Sequence, residues 1–224
     1  MLRNVVLKEN VLFLYAAILL LGFFAGVTAE RAAIFFTESK YRALKDERKR
    51  RNETGKNRTV VCCFPAFVVI LFLRAESVDG FIFDVCFIWL LCCLTMTDLT
   101  VHKIPNECLC GIAAVWIVSS LWMGTEWEEA LKRIMAAMLT MWGVLIVLRQ
   151  TERFFGKECL GRGDIKLLGA VMLYLGTEKA LWAFWTACLS GGVYLFLTGM
   201  VFRKRKEAFP FGPFIAASAF VMLF

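Results

Sequence analysis

Apolar runs of near bilayer-crossing length recur from one end of this chain to the other, and that repetition leaves few folds open. A helix needs about 20 apolar residues to cross a hydrocarbon core ~30 Å thick. The runs lie at 11–29, 60–73, 81–97, 108–123, 131–148, 165–178, 180–202 and 210–224, of which 60–73 and 165–178 are short. With 59% of residues hydrophobic and a mean hydropathy of +0.66, the composition lies outside the soluble globular range. The longest polar stretch, 38–59, reads as a loop, so no sizeable soluble domain fits. The expected fold is all-α, a polytopic membrane helix bundle of about eight transmembrane helices.

A formal charge of +7 raises the possibility of a nucleic-acid partner, but in a membrane chain the position of Lys and Arg relative to the spans carries the information. Ten fall in 30–59, five in 149–166, four in the Arg-Lys-Arg-Lys run at 203–206, and Lys103 lies between the third and fourth spans. All four clusters fall on one side, which the positive-inside rule makes the cytoplasm. Both termini and the acidic Glu126-Trp127-Glu128-Glu129 turn are then outside. The bilayer, and no nucleic acid, is the expected environment. The first run has only two basic residues before it and the most basic loop after it, the pattern of a retained span rather than a cleaved leader.

Nine cysteines is an odd number, and Cys62, Cys63, Cys86, Cys92, Cys93 and Cys188 sit in apolar runs, where a thiol behaves as a small hydrophobe. No C-x-x-C pair occurs; Cys108 and Cys110 alone make a poor metal clip. His102 is the single histidine, which leaves little for Ser-His or Cys-His catalysis. No metal and no cofactor is expected.

An ionisable group at membrane depth is costly and is a functional hypothesis by default. Asp84 lies early in the third run, Asp98 ends it, and Asp164 begins the sixth. On the topology above, Asp98 and Asp164 share the cytoplasmic side and can meet. Asp84, fourteen residues from Asp98 or ~21 Å of helix, reads better as a residue facing water in the outer headgroup region.

Asp164 stands in Gly161-Arg162-Gly163-Asp164-Ile165-Lys166. Flanking glycines permit close backbone approach, so that a substrate strand could lie against the segment. An acid at a helix start also has a bland role, satisfying free amides and the helix dipole. Asp98 is followed by a turn in which Pro105 stops any helix and Asn106 can cap the next. Together the two acids say more than either alone. Two carboxyls within hydrogen-bond reach cannot both ionise freely and titrate as a coupled pair. One can take a proton from water attacking a peptide carbonyl while the other donates to the carbonyl oxygen.

Asp98 with its Ile104-Pro105-Asn106 continuation, the Gly161–Gly169 segment and the Pro210-Phe211-Gly212-Pro213-Phe214 run, in that order, resemble the bacterial prepilin peptidases, also called type IV leader peptidases. The resemblance covers about 80–224. It implies a membrane aspartic endopeptidase that removes the basic leader of type IV prepilins or pseudopilins at the cytoplasmic face of the bacterial inner membrane. It also implies that Asp98 and Asp164 are the catalytic pair and that Gly161 and Gly163 are the signature glycines. Lys166, at the family's usual offset, takes an auxiliary role or serves as a positive-inside anchor. Pro105, Asn106, Pro210, Gly212 and Pro213 support the site as turn and helix-start residues. The implied division is 1–79, N-terminal spans with a basic cytoplasmic loop, and 80–224, the peptidase domain.

Many bifunctional members carry paired C-x-x-C motifs in a loop after the first span, associated with N-methylation. Here that loop is short and lacks cysteine, and methylation is expected to be absent. The expected partner is a prepilin helix already in the bilayer; a homo-oligomer is compatible with the sequence. Other readings are a proton-coupled transporter, with the aspartates as relay groups, and a non-catalytic assembly subunit. Signal peptide peptidase and presenilin share G-x-G-D, but their Tyr-Asp companion is missing, since Thr97 precedes Asp98.

Overall fold

A computed structural model describes residues 22, 24–35, 64–73, 77–101, 104–155, 161–202 and 210–223. Among them the fold is helical throughout: α1 (24–35), α2 (Phe64–Leu73), then α3 (Val78–Val101), α4 (Asn106–Trp122), α5 (Trp127–Phe155), α6 (Arg162–Leu175), α7 (Thr177–Phe202) and α8 (Gly212–Val221). Stretches within α3, α5 and α7 are long and apolar enough to cross a membrane, at Asp79–Leu99, Trp127–Phe154 and Thr177–Gly199; α2, α4 and α8 are apolar but shorter. The helical membrane bundle read from the sequence is the fold. The 38–59 loop, His102, Lys103 and the 203–206 run lie outside the described residues.

The chain forms two compact units, Met1–Met96 and Thr97–Phe224, with the boundary inside α3. In the first, Ser77 Oγ accepts the Gly80 N–H at 3.1 Å and starts α3. Trp89 Nε1 donates to Ala25 O at 2.9 Å and Thr28 Oγ1 at 3.2 Å, and Cys93 Sγ reaches Ala29 O at 3.7 Å, tying α3 to α1. A Cβ on Gly22 would stand 2.9 Å from Pro65 Cα, so the backbone at Gly22 lies directly against that of α2. Small residues at such crossings gain van der Waals contact that lipid cannot supply.

In the second unit α6 is central, packing against α4, α5, α7 and α8. Leu167, Leu168, Ala170, Val171 and Met172 of α6 are buried, as are Ala180, Ala183 and Ala187 at one-face spacing on α7 and Ile215, Ala216 and Ala219 on α8. Exposed Met135, Met138, Leu139, Trp142, Ile146 and Val147 of α5 would be a liability in water and suit hydrocarbon.

Several helix ends differ from the sequence expectation. α5 runs over Trp127–Phe155 rather than 131–148, because nothing from Arg149 to Arg153 breaks a helix, and both arginines therefore ride on it. α6 stops at Leu175, not at 178. Gly176 adopts φ +86° and its N–H closes the helix on Met172 O, and α7 starts at once. Asn106 does not cap α4. Pro105 holds the cap position with an extended backbone, φ −69° and ψ 132°, and Asn106 is the first helical residue.

Candidate active site

The site residues of the second unit come from four helix ends. Asp98 lies in the last turn of α3, where with Thr97 it is buried, 6% and 3% exposed. A buried carboxyl needs hydrogen-bond partners, and one comes from far along the chain. The Gly212 N–H, at the start of α8, donates to Asp98 Oδ2 at 3.0 Å across 114 residues. This amide is one of the four that a helix start leaves unpaired.

The residue at 212 has to be glycine. A Cβ there would lie 2.7 Å from Asp98 Oδ2, 3.2 Å from its Cγ and 3.3 Å from its Cβ. Pro213, in the first turn of α8, has no amide to leave unsatisfied. On either side of Gly212, Phe211 packs edge-on against Phe184 of α7, ring centroids 6.4 Å apart, and Phe214 packs at a tilt against Tyr194, 5.7 Å apart. Half-buried Pro210 precedes them.

Asp164 is held locally. Gly161 caps α6 with an extended backbone, φ −66° and ψ 143°, and Asp164 is the third residue of the helix, half-buried. The Asp164 N–H donates to Gly161 O at 3.1 Å. Its carboxyl in return accepts a backbone hydrogen bond from Gly161, the half of a capping box that the third helical residue supplies. The bland role of an acid at a helix start is therefore real here. It is accompanied by a second feature: the Asp98 and Asp164 carboxyls interact electrostatically. The structure brings the two aspartates together.

Gly163 permits a close approach, as the sequence suggested, but the space beside it is filled from within the chain. A Cβ there would stand 3.3 Å from Ile104 Cβ and 3.4 Å from its Cγ1 and Cδ1, so Ile104 and not a substrate strand lies against this glycine. Lys166 Nζ donates to Asn106 Oδ1 at 3.2 Å, joining the first turns of α6 and α4. Pro105 is buried between Ile104 and Asn106. Asp84 is half-buried on α3, fourteen residues before Asp98.

Sequence reasoning placed Gly212 in a turn and missed its bond to Asp98. The available signal was a glycine set between two phenylalanines and before Pro213 at the head of an apolar run, a costly choice unless the backbone must touch something.

Residues 85–196, from within α3 to within α7 and including both aspartates, match the type IV leader peptidase family. The chain is 28% identical over 169 residues to the prepilin leader peptidase/N-methyltransferase of Legionella pneumophila, covering 69% of this chain and 55% of that protein. It is 29% identical over 134 residues to the protein of the same name from Xanthomonas campestris, covering 57% and 44% of the two chains. To that of Pectobacterium carotovorum it is 32% identical over 135 residues, covering 55% and 44%. The chain thus spans about half the length of the curated relatives it matches. No solved structure matches it. With half of its residues matching the family, and the paired aspartates inside the matched half, this chain belongs to the type IV leader peptidase family.

Proposed function

We propose that the chain is a membrane aspartic endopeptidase that removes the leader from type IV prepilins or pseudopilin-like substrates. The observation that carries the reading is the convergence of Asp98 and Asp164 at the ends of two helices 66 residues apart in sequence, within electrostatic reach of each other. In such a pair one carboxyl keeps a proton that its neighbour's charge makes costly to release. The charged member takes a proton from water as it attacks the scissile carbonyl, while the protonated member donates its own to the carbonyl oxygen. As the gem-diol collapses, the first passes water's proton to the leaving amine and the second recovers a proton from the gem-diol. The relatives' names support this substrate class.

The surrounding residues fit these roles. Gly212 orients Asp98, the Gly161 cap orients Asp164, and Pro210 and Pro213 fix the approach to α8. Twenty of the 26 Lys and Arg residues lie in the clusters assigned to one side, so the site faces the cytoplasm of a bacterial inner membrane. There it meets a substrate whose hydrophobic helix is already in the bilayer. The compact unit Thr97–Phe224 holds both aspartates; we assign the peptidase domain to 80–224 and the N-terminal spans with their basic cytoplasmic loop to 1–79. The relatives also carry N-methyltransferase in their names. In this chain 38–59 has no cysteine, and the function we propose is the peptidase activity alone.

The experiment is co-expression with a tagged type IV prepilin in a host lacking its own peptidase, comparing wild type, Asp98→Asn and Asp164→Asn. Leader removal by the wild type, reduced at least about a hundredfold in each variant, supports the dyad. Unimpaired processing in both variants sinks the aspartic mechanism, and no processing of several prepilins by the wild type sinks the substrate class. The active enzyme should give a bell-shaped pH profile of kcat/KM whose limbs belong to the pair, not to either residue.

A further inference from the structure

α4 and α6 begin side by side, and the tie between their first turns lies on the far side of α6 from the paired aspartates. Lys166 Nζ donates to Asn106 Oδ1 at 3.2 Å across 60 residues of sequence. Two residues along a helix is a rotation of about 200°, so Lys166 and Asp164 leave α6 in nearly opposite directions. Beside this tie, Ile104 fills the space over the bare Cα of Gly163, 3.3 Å from where a Cβ would stand. Buried Pro105 links the two contacts through its extended backbone. Ile104, Pro105 and Asn106 belong to the chain that leads on from Asp98. Two grips on the turn that carries Asp164 therefore hold the segment that follows Asp98.

We propose that Asn106 and Lys166 are positioning residues, whose hydrogen bond sets the register of α4 against α6 and thereby the spacing of the Asp98 and Asp164 carboxyls. The kinetic consequence rests on the peptidase reading; the structural consequence does not. Both side chains are exposed, so the bond adds little to global stability. Its effect is on geometry. A lysine that only snorkels to the membrane interface would make no demand on Asn106.

Other charged groups of these turns are Arg162 on α6 and Glu107 on α4. α8 carries none, α5 has Arg149, Glu152 and Arg153 near its end, and α7 has Glu178 and Lys179 in its first turn. A variant that keeps every charge is therefore the informative one. The measurement is a carbon-13 carboxyl titration of Asp98 and Asp164 in the full-length protein in lipid nanodiscs, for wild type, Asn106→Ala, Lys166→Met and Lys166→Arg.

Two interacting carboxyls titrate in two steps, and the gap between the steps narrows as they move apart. The expected gap is about one pH unit narrower in Asn106→Ala and Lys166→Met, and that of the wild type in Lys166→Arg. In Asn106→Ala no charge is lost, so narrowing there reports spacing. Prepilin cleavage by Asn106→Ala should fall about tenfold in kcat with KM changed less than about twofold. An unchanged gap in Asn106→Ala overturns the proposal whatever the cleavage rate. A narrowed gap in a protein that cleaves no prepilin leaves the positioning role standing and defeats the peptidase reading alone.

Discussion

The two aspartates are held in contrasting ways. Asp164 is oriented by its own turn, through the amide of a residue three positions earlier. Asp98 is oriented by the Gly212 amide, brought from 114 residues away, in a buried contact with no room for a side chain. A locally built group survives small shifts of neighbouring helices, because its partner moves with it. A group built by tertiary contact does not, since any displacement of α8 against α3 breaks its hydrogen bond. The geometry of the pair should therefore be fragile from the Asp98 side and forgiving from the Asp164 side.

The largest expected effect is at Gly212. Gly212→Ala puts a Cβ 2.7 Å from Asp98 Oδ2, a separation that forces either α8 to retreat or the carboxyl to turn away and lose its amide. Overpacking of this kind costs about 1–3 kcal/mol, and a displacement near 1 Å at reacting groups costs about a hundredfold in rate. Cleavage of a prepilin should fall by about that factor, with a lowered unfolding temperature. Retained activity would show that the bond to Gly212 does not orient Asp98 and would remove the contrast.

Gly163→Ala comes next, at about tenfold. Its Cβ meets Ile104 at 3.3–3.4 Å, so the neighbour must yield by a few tenths of an ångström. Ile104→Ala removes the Cγ1 and Cδ1 contacts but keeps the Cβ, and the double variant should recover part of the loss, the non-additivity expected of touching residues. Simple addition of the two effects would mean that the contact between connector and α6 is incidental.

Gly161→Ser should cost less than about fivefold. The new Cβ stands 3.1 Å from Asp164 Oδ2, but that oxygen is the far end of a side chain in the same turn and moves with it, while serine is a favoured cap residue. A loss as large as that at Gly212 would break the contrast from the other side.

The same division between local and tertiary decides what was legible in the sequence. The apolar runs announced the bundle, and the acid at 164 could be read as a helix-start residue because the cap that holds it lies within four residues. Pro105 was legible as a stop for any helix, but its taking the cap position itself was not. That followed from the extended backbone of buried Pro105 and from Asn106 being drawn to Lys166 on another helix. α5 overran its apolar core because helix propensity continues after hydrophobicity ends, through Arg149 to Arg153. Gly176 ended α6 early through a left-handed backbone that apolar periodicity does not encode. The bond from Gly212 to Asp98 joins two motifs 114 residues apart, and spacing along one chain holds no record of it.

The smallest effect belongs to Gly169, on the face of α6 toward α5, and it shows that tightness alone is not the criterion. A Cβ there would come within 2.6 Å of Met141 Sδ, closer than the 2.7 Å at Gly212. Yet the obstacle is the thioether of an unbranched side chain with three rotatable bonds on a largely exposed helix, free to swing aside. At Gly212 the obstacle is a buried carboxyl held by a backbone amide. Alanine also favours a helix interior over glycine by ~1 kcal/mol, so Gly169→Ala should leave cleavage within about twofold of wild type and the unfolding temperature unchanged or raised. A loss at Gly169 comparable to that at Gly212 would mean that the site responds to any expansion along α6, and that the anchoring of Asp98 has no special standing.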